Sequence, residues 1–198
     1  MKGLFFADLH SSIEILEEIE ERVKTEKCEF LACAGDMTTF ENKLDTVLFK
    51  ISEIGVPALI IHGNHESEDK VRLYCDMFPN LVFIHKKVAE INGIIIAGYG
   101  GGGFSETDGE FRKAAKVFRK KMKKGKTTVL MLHGPPHGTL LDELDGSHHG
   151  NRDFTKFIKE VQPSIVICGH FHENAGKEDT LGKSRIINPG PRGIILDL

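Results

Sequence analysis

Five short apolar runs, spread along most of the chain, each end at once in residue types that bind metals. Residues 3–7 run into Asp8-Leu9-His10, and residues 30–34 into Gly35-Asp36. Residues 57–61 run into His62-Gly63-Asn64-His65-Glu66, residues 128–132 into His133-Gly134, and residues 165–168 into Gly169-His170-Phe171-His172. Short runs that are apolar throughout suit strands buried on both faces. In open α/β sheets, ligands bind just beyond the C-terminal ends of the strands. One site can therefore collect all five clusters. In extended chain, residues i and i+2 point to the same side. This predicts that Asp8 and His10 face one point together, and that His170 and His172 do the same. Glycines 35, 63, 134 and 169 let the backbone turn beside a crowded ligand shell.

Helical signals lie between the runs. Ser11 with Glu14 reads as a capping box opening a helix through about Lys24, with Leu16, Ile19 and Val23 as its apolar stripe. Leu44, Val47, Leu48, Ile51 and Ile54 recur at helical spacing, and Gly55 stops them. Residues 66–78 read as a helix ending before Pro79, and 81–85 as a strand. Asn92-Gly93 joins two apolar runs (88–91 and 94–97) as a hairpin turn. Gly100–103 is a flexible loop following that hairpin, near the site. Residues 111–124 form a basic helix with Phe111, Ala115, Phe118 and Met122 on its apolar face; the lysines and arginines opposite read as a solvated surface. Residues 135–150 read as an irregular loop. Phe154, Phe157, Ile158 and Val161 mark a helix capped by Asn151. After residue 172 come short strands with turns at 179–183 and 188–193. Strand–helix alternation predicts an α/β fold, the late hairpins predict some antiparallel strands, and the absence of repeats or linkers predicts a single domain over 1–198.

No apolar run approaches the ~18 residues of a membrane span, and residues 1–6 lack the long apolar stretch of a signal peptide. The four cysteines form no Cys-x-x-Cys pair. Cys33 and Cys168 sit inside apolar runs, as small core residues in a reducing, cytoplasmic setting do. A formal charge of −3 gives no bulk attraction to nucleic acid. Ten histidines without one tryptophan is the unusual feature. Carboxylate, amide and imidazole donors without thiolate suit manganese, iron, zinc, cobalt or nickel.

Taken together, Asp8-Leu9-His10, Gly35-Asp36, Gly63-Asn64-His65-Glu66, His133-Gly134 and Gly169-His170-Phe171-His172 resemble the calcineurin-like metallophosphoesterase signature. His133-Gly134-Pro135-Pro136-His137-Gly138 and Asn188-Pro189-Gly190-Pro191 are similar to a microbial subgroup of small phosphoesterases. The resemblance implies a four-layer sandwich of two packed mixed sheets flanked by helices, with a dinuclear metal site at the C-terminal ends of strands. It implies that Asp8, His10, Asp36 and His172 hold one ion. Asp36, Asn64, His133 and His170 would hold the other, so that Asp36 bridges. His65 would donate a hydrogen bond or proton rather than ligate. Two divalent transition-metal ions are implied, Mn²⁺ foremost, with Fe, Zn²⁺, Ni²⁺ or Co²⁺ as substitutes. The implied reaction is hydrolysis of phosphate diesters or monoesters by in-line attack of a metal-bound hydroxide. The alternative is a non-catalytic metal-binding interaction scaffold, for which a full ligand set with His65 has no use. Expected partners are small phosphoesters or nucleotides and no membrane; nucleic acid and self-association are left open.

The related protein phosphatases follow Gly-Asp with a second Asp and an Arg. Here the chain reads Met37-Thr38-Thr39-Phe40, which argues against a protein phosphatase and leaves open what orients His65. Glu66 and Glu68 are candidates, or they open a helix whose dipole favours acids. Asn64, His149 and Arg152 are candidate substrate-binding residues, with His148 beside them and His137 at the rim. His62 reads either as support for the site or as a packed residue, and His85 as an ordinary strand end. Gly100–103 lacks the Lys-Ser/Thr of a phosphate-binding P-loop.

Overall fold

In a computed structural model that describes residues 1–122 and 127–198, strand and helix alternate through the first half of the chain. In chain order the elements are β1 (Lys2–Phe6), α1 (Ile13–Glu26), β2 (Phe30–Cys33), α2 (Leu44–Glu53), β3 (Ala58–Ile60), α3 (Glu68–Cys75), β4 (Leu81–Phe83), β5 (Lys87–Ile91), β6 (Ile94–Tyr99) and α4 (Gly109–Lys121). Then follow β7 (Thr128–Leu132), β8 (Glu143–Leu144), β9 (Ser147–His148), α5 (Arg152–Val161), β10 (Ile165–Ile167), a one-turn 3₁₀ helix (His172–Asn174), β11 (Glu178–Leu181), β12 (Ser184–Ile187) and β13 (Ile194–Asp197). One sheet has the order β13-β1-β2-β3-β4 and the other β11-β12-β10-β7-β6-β5. Both are mixed. The pairs β1–β2–β3–β4 and β6–β7–β10–β12 are parallel, and β13, β11 and β5 are antiparallel additions.

Side-chain alternation along the central strands builds three cores. Leu4, Phe6, Leu31, Cys33, Ala58 and Ile60 face α1, α2 and α3. Their neighbours Phe5, Ala7, Phe30, Ala32, Leu59 and Ile61 face Ile96, Val129, Met131 and Ile167 of the second sheet. On that sheet's far side Ala97, Leu130, Leu132 and Val166 pack on Phe111, Phe118, Phe154 and Phe157 of α4 and α5. The order is helices, sheet, sheet, helices, and it explains why the strands read as unbroken apolar runs rather than as an alternating pattern. All four cysteines are free and buried. Among the described residues no helix is long and apolar enough to cross a membrane.

Local expectations hold in most places. Asn92 and Gly93 take positive φ (48° and 85°) between β5 and β6, as a hairpin turn requires. The differences have identifiable causes. Ser12, not Ser11, caps α1 by accepting from the Ile15 N–H at 3.4 Å, so Glu14 completes no capping box; Ser11 donates instead to the Asn42 carbonyl. The third helix begins at Glu68, since Glu66 is engaged by Thr38 and Gly63, and it ends at Cys75. The fourth strand stops at Phe83, and the turn expected over 179–183 narrows to residues 182–183 because Glu178–Leu181 is strand. The basic helix is described to Lys121; Lys123, Lys124 and Lys126 lie outside the described residues. Arg112, Lys113 and Arg119 on it pair with Asp153, Glu110 and Glu160, as on a solvated face.

Asn151 caps α5 by accepting from the N–H groups of Asp153 (2.9 Å) and Phe154 (3.2 Å), and its amide donates to the Ser105 carbonyl. Asn151→Ala is expected to cost about 1–2 kcal/mol. In a chain of this size that lowers the thermal midpoint by roughly 2–8 °C, which differential scanning calorimetry would read. An unchanged midpoint would mean that the cap carries no stability.

Candidate metal centre

The five clusters follow β1, β2 and β3, parallel in one sheet, and β7 and β10, parallel in the other, and side chains from both sets converge at one rim. The first two loops stay laced together beyond their strands. The N–H groups of Asp8, His10 and Ser11 donate to the carbonyls of Gly35, Asp36 and Met37. Side-chain donors then converge in three overlapping groups, Asp8–His10–His172, His10–Asp36–His65 and Asp36–His133–His170, each with its ligand atoms within 4.8 Å of one another. Asp36 lies at the centre. Its Oδ2 is 3.4 Å from His133 Nε2 and 3.9 Å from both His10 Nε2 and His65 Nε2. Asn64 Oδ1 joins at 3.0 Å from His133 Nε2.

The chain reaches this arrangement by a different backbone route from the expected one. Asp8, His10 and His170 are not extended: their φ values are 58°, 47° and 72°, and His172 opens the 3₁₀ turn. Left-handed residues of this kind carry strain of about 1 kcal/mol or more each and cluster at functional sites. As a result His170 and His172 do not face one point. His170 turns to Asp36 and His133, while His172 turns to Asp8 and His10. Glycine is obligatory at 63, where a Cβ would fall 1.9 Å from Asp36 Oδ1, whereas at Gly134 the nearest atom would be 3.5 Å away.

Each ring's hydrogen bonds decide which nitrogen is free. His133 Nδ1 faces the Ala34 carbonyl at 2.9 Å and donates to it, which turns Nε2 toward Asp36 and Asn64. His10 Nδ1 is 3.3 Å from the Thr39 hydroxyl, and its Nε2 meets His172 Nε2 at 3.0 Å. His170 Nε2 is buried with no hydrogen-bond partner. A buried ring nitrogen left without a partner is costly unless it binds a cation, and the His10 and His172 nitrogens leave room for only one proton between them. This donor set therefore fits divalent metal ions. His65 is the exception. Its Nδ1 accepts the Phe40 backbone N–H at 3.3 Å, so in the neutral ring Nε2 carries the hydrogen and can donate.

Burial pushes Asp36 up, but the hydrogen bond and charge of His133 outweigh it and hold the carboxyl down at about 2. Burial likewise lowers His133, yet the Asp36 and Asp8 carboxylates raise it to about 8. Burial lowers His170 to about 4 and also lowers His10, favouring neutral imidazoles that can ligate. Burial raises Asp8 despite the opposing His133 charge and His170 N–H.

Several neighbours carry roles their sequence positions do not announce. Neither Glu66 nor Glu68 orients His65. Glu66, 5% exposed, accepts from the Asp36 N–H (3.2 Å), the Thr38 N–H (2.7 Å), the Thr38 hydroxyl (2.9 Å) and the Gly63 N–H (2.9 Å). It ties the Asp36 loop to the Asn64 loop. Glu68 pairs with Arg72, Lys86 and His85. His85 is more than a strand end: it is buried, and its Nδ1 accepts from the Gly100 N–H at 2.8 Å, fixing the start of the glycine loop. His62 packs on His85 with ring centroids 4.5 Å apart. Arg152 is turned to Glu106 (3.6 Å), and the His149 side chain is exposed. Among the described residues' contacts neither reaches the converging histidines. It is His148 that is held, its Nδ1 being 2.8 Å from buried Asp142.

The family described as "Metallophosphoesterase, calcineurin superfamily" matches residues 36–192. An uncharacterized protein of Methanocaldococcus jannaschii is 27% identical over 97% of this chain and 89% of its own length. A probable cyclic nucleotide phosphodiesterase of a Synechococcus species is 26% identical over 70% of this chain, which is 53% of that protein. The crystal structure of TT1561 from Thermus thermophilus superposes with a TM-score of 0.78 at 16% identity, covering 96% of this chain and 88% of that one. The likeness is one of fold.

Proposed function

The chain belongs to the metallophosphoesterases of the calcineurin superfamily, and we propose that it hydrolyses phosphate esters, diesters in preference, at a two-metal centre. Asp8, His10, Asp36 and His172 hold one ion in this reading, and Asp36, Asn64, His133 and His170 hold the other. The observation that carries it is the position of Asp36, which groups with His10 on one side and with His133 and His170 on the other, His10 also belonging to the Asp8–His172 group. When bound, the ions supply Lewis acidity toward the phosphoryl oxygens and lower the pKa of water. The remaining tasks fall to the chain. Asp8 accepts the His170 N–H on both carboxylate oxygens (3.1 and 3.0 Å), which pins the loop carrying His170 and His172 against the β1 loop. His65 holds its Nε2 proton toward the centre, where it can be given to a phosphoryl or leaving oxygen. The relative's name favours a diester, as does the missing arginine of the protein phosphatases.

The test is to strip the protein of metal, reload it with Mn²⁺, Ni²⁺, Co²⁺, Zn²⁺ or Mg²⁺, and follow hydrolysis of 4-nitrophenyl phosphate and bis(4-nitrophenyl) phosphate. Turnover restored by at least one transition ion is expected. Hydrolysis unaffected by chelation, or absent with every ion, would end the reading. His65→Ala is expected to slow turnover by roughly 10²–10⁴-fold, the scale of a lost general acid, with metal content unchanged. If that variant instead lost metal, His65 would be a ligand.

A further inference from the structure

Two large apolar side chains stand in water at the centre itself. Phe40 is 79% exposed and Phe104 is 65% exposed. Exposed apolar residues scattered over a surface need no explanation, but these two share a setting. The Phe40 ring leans on His65 with centroids 4.4 Å apart, and the Phe104 ring leans on His170 at 4.8 Å and on Phe171 at 5.3 Å. His65 belongs to the His10 side of Asp36 and His170 to the His133 side. The phenyl rings therefore rest on histidines of the two different groups that share Asp36.

The backbone holds both rings in place by unusual means. Phe40 has φ 50°, a left-handed conformation that a bulky residue rarely takes. Phe104 follows Gly101, Gly102 and Gly103, all at positive φ (76°, 104° and 55°). That run lays the loop on the site: a Cβ on Gly103 would lie 3.9 Å from Asn64 Cβ and 4.0 Å from His170 Cε1.

We propose that Phe40 and Phe104 are stacking platforms that make this centre selective for phosphodiesters bearing a nucleobase on each side of the phosphate. The inference rests on the phosphoesterase reading above and names its substrate class. A diester bound at the centre sends two substituents away from phosphorus, and two exposed phenyl rings, seated on different histidines of the centre, can receive them. An exposed phenyl face stacks on any flat base without reading its sequence. It offers little to a bare sugar or an alkyl chain.

The probe is a thymidine dinucleotide joined through a non-hydrolysable phosphonate, compared with the same phosphonate lacking both bases. Calorimetric titration of the metal-loaded protein gives the two dissociation constants, and competition against bis(4-nitrophenyl) phosphate hydrolysis gives a second measure. Removing the bases is expected to weaken binding at least 10-fold, stacking being worth roughly 5- to 150-fold per base. In Phe40→Ala and in Phe104→Ala the ratio between the two probes should shrink about 5-fold or more. Phe40→Tyr and Phe104→Trp should keep it. The ratio is internal to each variant, so a general loss of affinity does not imitate the effect. Equal affinity of the wild-type protein for both probes overturns the proposal, as does a ratio that survives both alanine changes. Base-dependent binding by a protein that hydrolyses no ester would instead sink the phosphoesterase reading and leave the platforms standing.

Discussion

Asp36→Asn is expected to remove at least one equivalent of bound metal and to lower kcat/KM for an aryl diester on the order of 10³-fold or more. The reason is positional. Oδ2 of Asp36 lies 3.4 Å from His133 Nε2 and 3.9 Å from His10 Nε2, so this one oxygen serves both donor groups. Asn64 brings no charge, which leaves Asp8 as the other anion among the proposed ligands. Asparagine is nearly the same size and still accepts the His65 backbone N–H, which reaches Asp36 Oδ1 at 2.9 Å. The fold should therefore survive. What disappears is a negative charge that faces two cations, and several kcal/mol of charge stabilisation at the reacting centre amounts to three or more powers of ten in rate. Metal content by elemental analysis and circular dichroism separate loss of ions from loss of fold. A variant that kept two ions per chain and full activity would remove Asp36 from its bridging place.

The layers of the fold were legible in the sequence because each central strand is apolar on both faces, and only a sheet packed on both sides needs that. The gathering of Asp8, Asp36, Asn64, His133 and His170 at one rim was legible for a related reason. Each directly follows such a strand, and parallel neighbours end on the same side. The backbone path within the loops was not. The i, i+2 rule assumes extended chain, but Asp8, His10 and His170 take positive φ, so the pairing of His170 with His133 rather than His172 carries no local signal. The orientation of His65 was also hidden. It depends on the main-chain N–H of Phe40, and any residue but proline supplies one. Neither sequence reading of Glu66, as a partner of His65 or as an acid opening a helix, holds, since a carboxylate before Ser67 and Glu68 looks the same whether it faces water or a buried loop. Its one distinguishing sign is the close pair Gly63…Glu66, in which the acid can reach back to the glycine N–H three residues before it.

Glu66→Ala is expected to destabilise the protein by about 3–5 kcal/mol and to loosen the metal centre together with the fold. Glu66 gathers several buried donors at the site. Three backbone N–H groups and the Thr38 hydroxyl end on its two oxygens. Burial raises its carboxyl above the usual range even though the Gly63 and Thr38 N–H groups pull it down, so desolvation is already a cost here. Truncation removes all the acceptors at once and strands their donors beneath the surface, at about 1–3 kcal/mol each before relaxation or water entry offsets part of it. For a chain of this size the loss corresponds to a thermal midpoint lower by roughly 6–20 °C. Because the donors come from the Asp36 loop on one side and the Gly63–Asn64 loop on the other, metal affinity should fall about 10–100-fold in the protein that remains folded, the usual scale for an outer residue that orients ligands. Glu66→Gln makes the finer distinction. It preserves volume and one acceptor oxygen but turns an NH₂ group toward N–H donors. A pure packing role would make glutamine harmless, whereas a role as acceptor makes it lose a large part of the stability lost by alanine. A glutamine variant with wild-type midpoint and wild-type metal affinity would show that the two loops hold each other without this carboxylate.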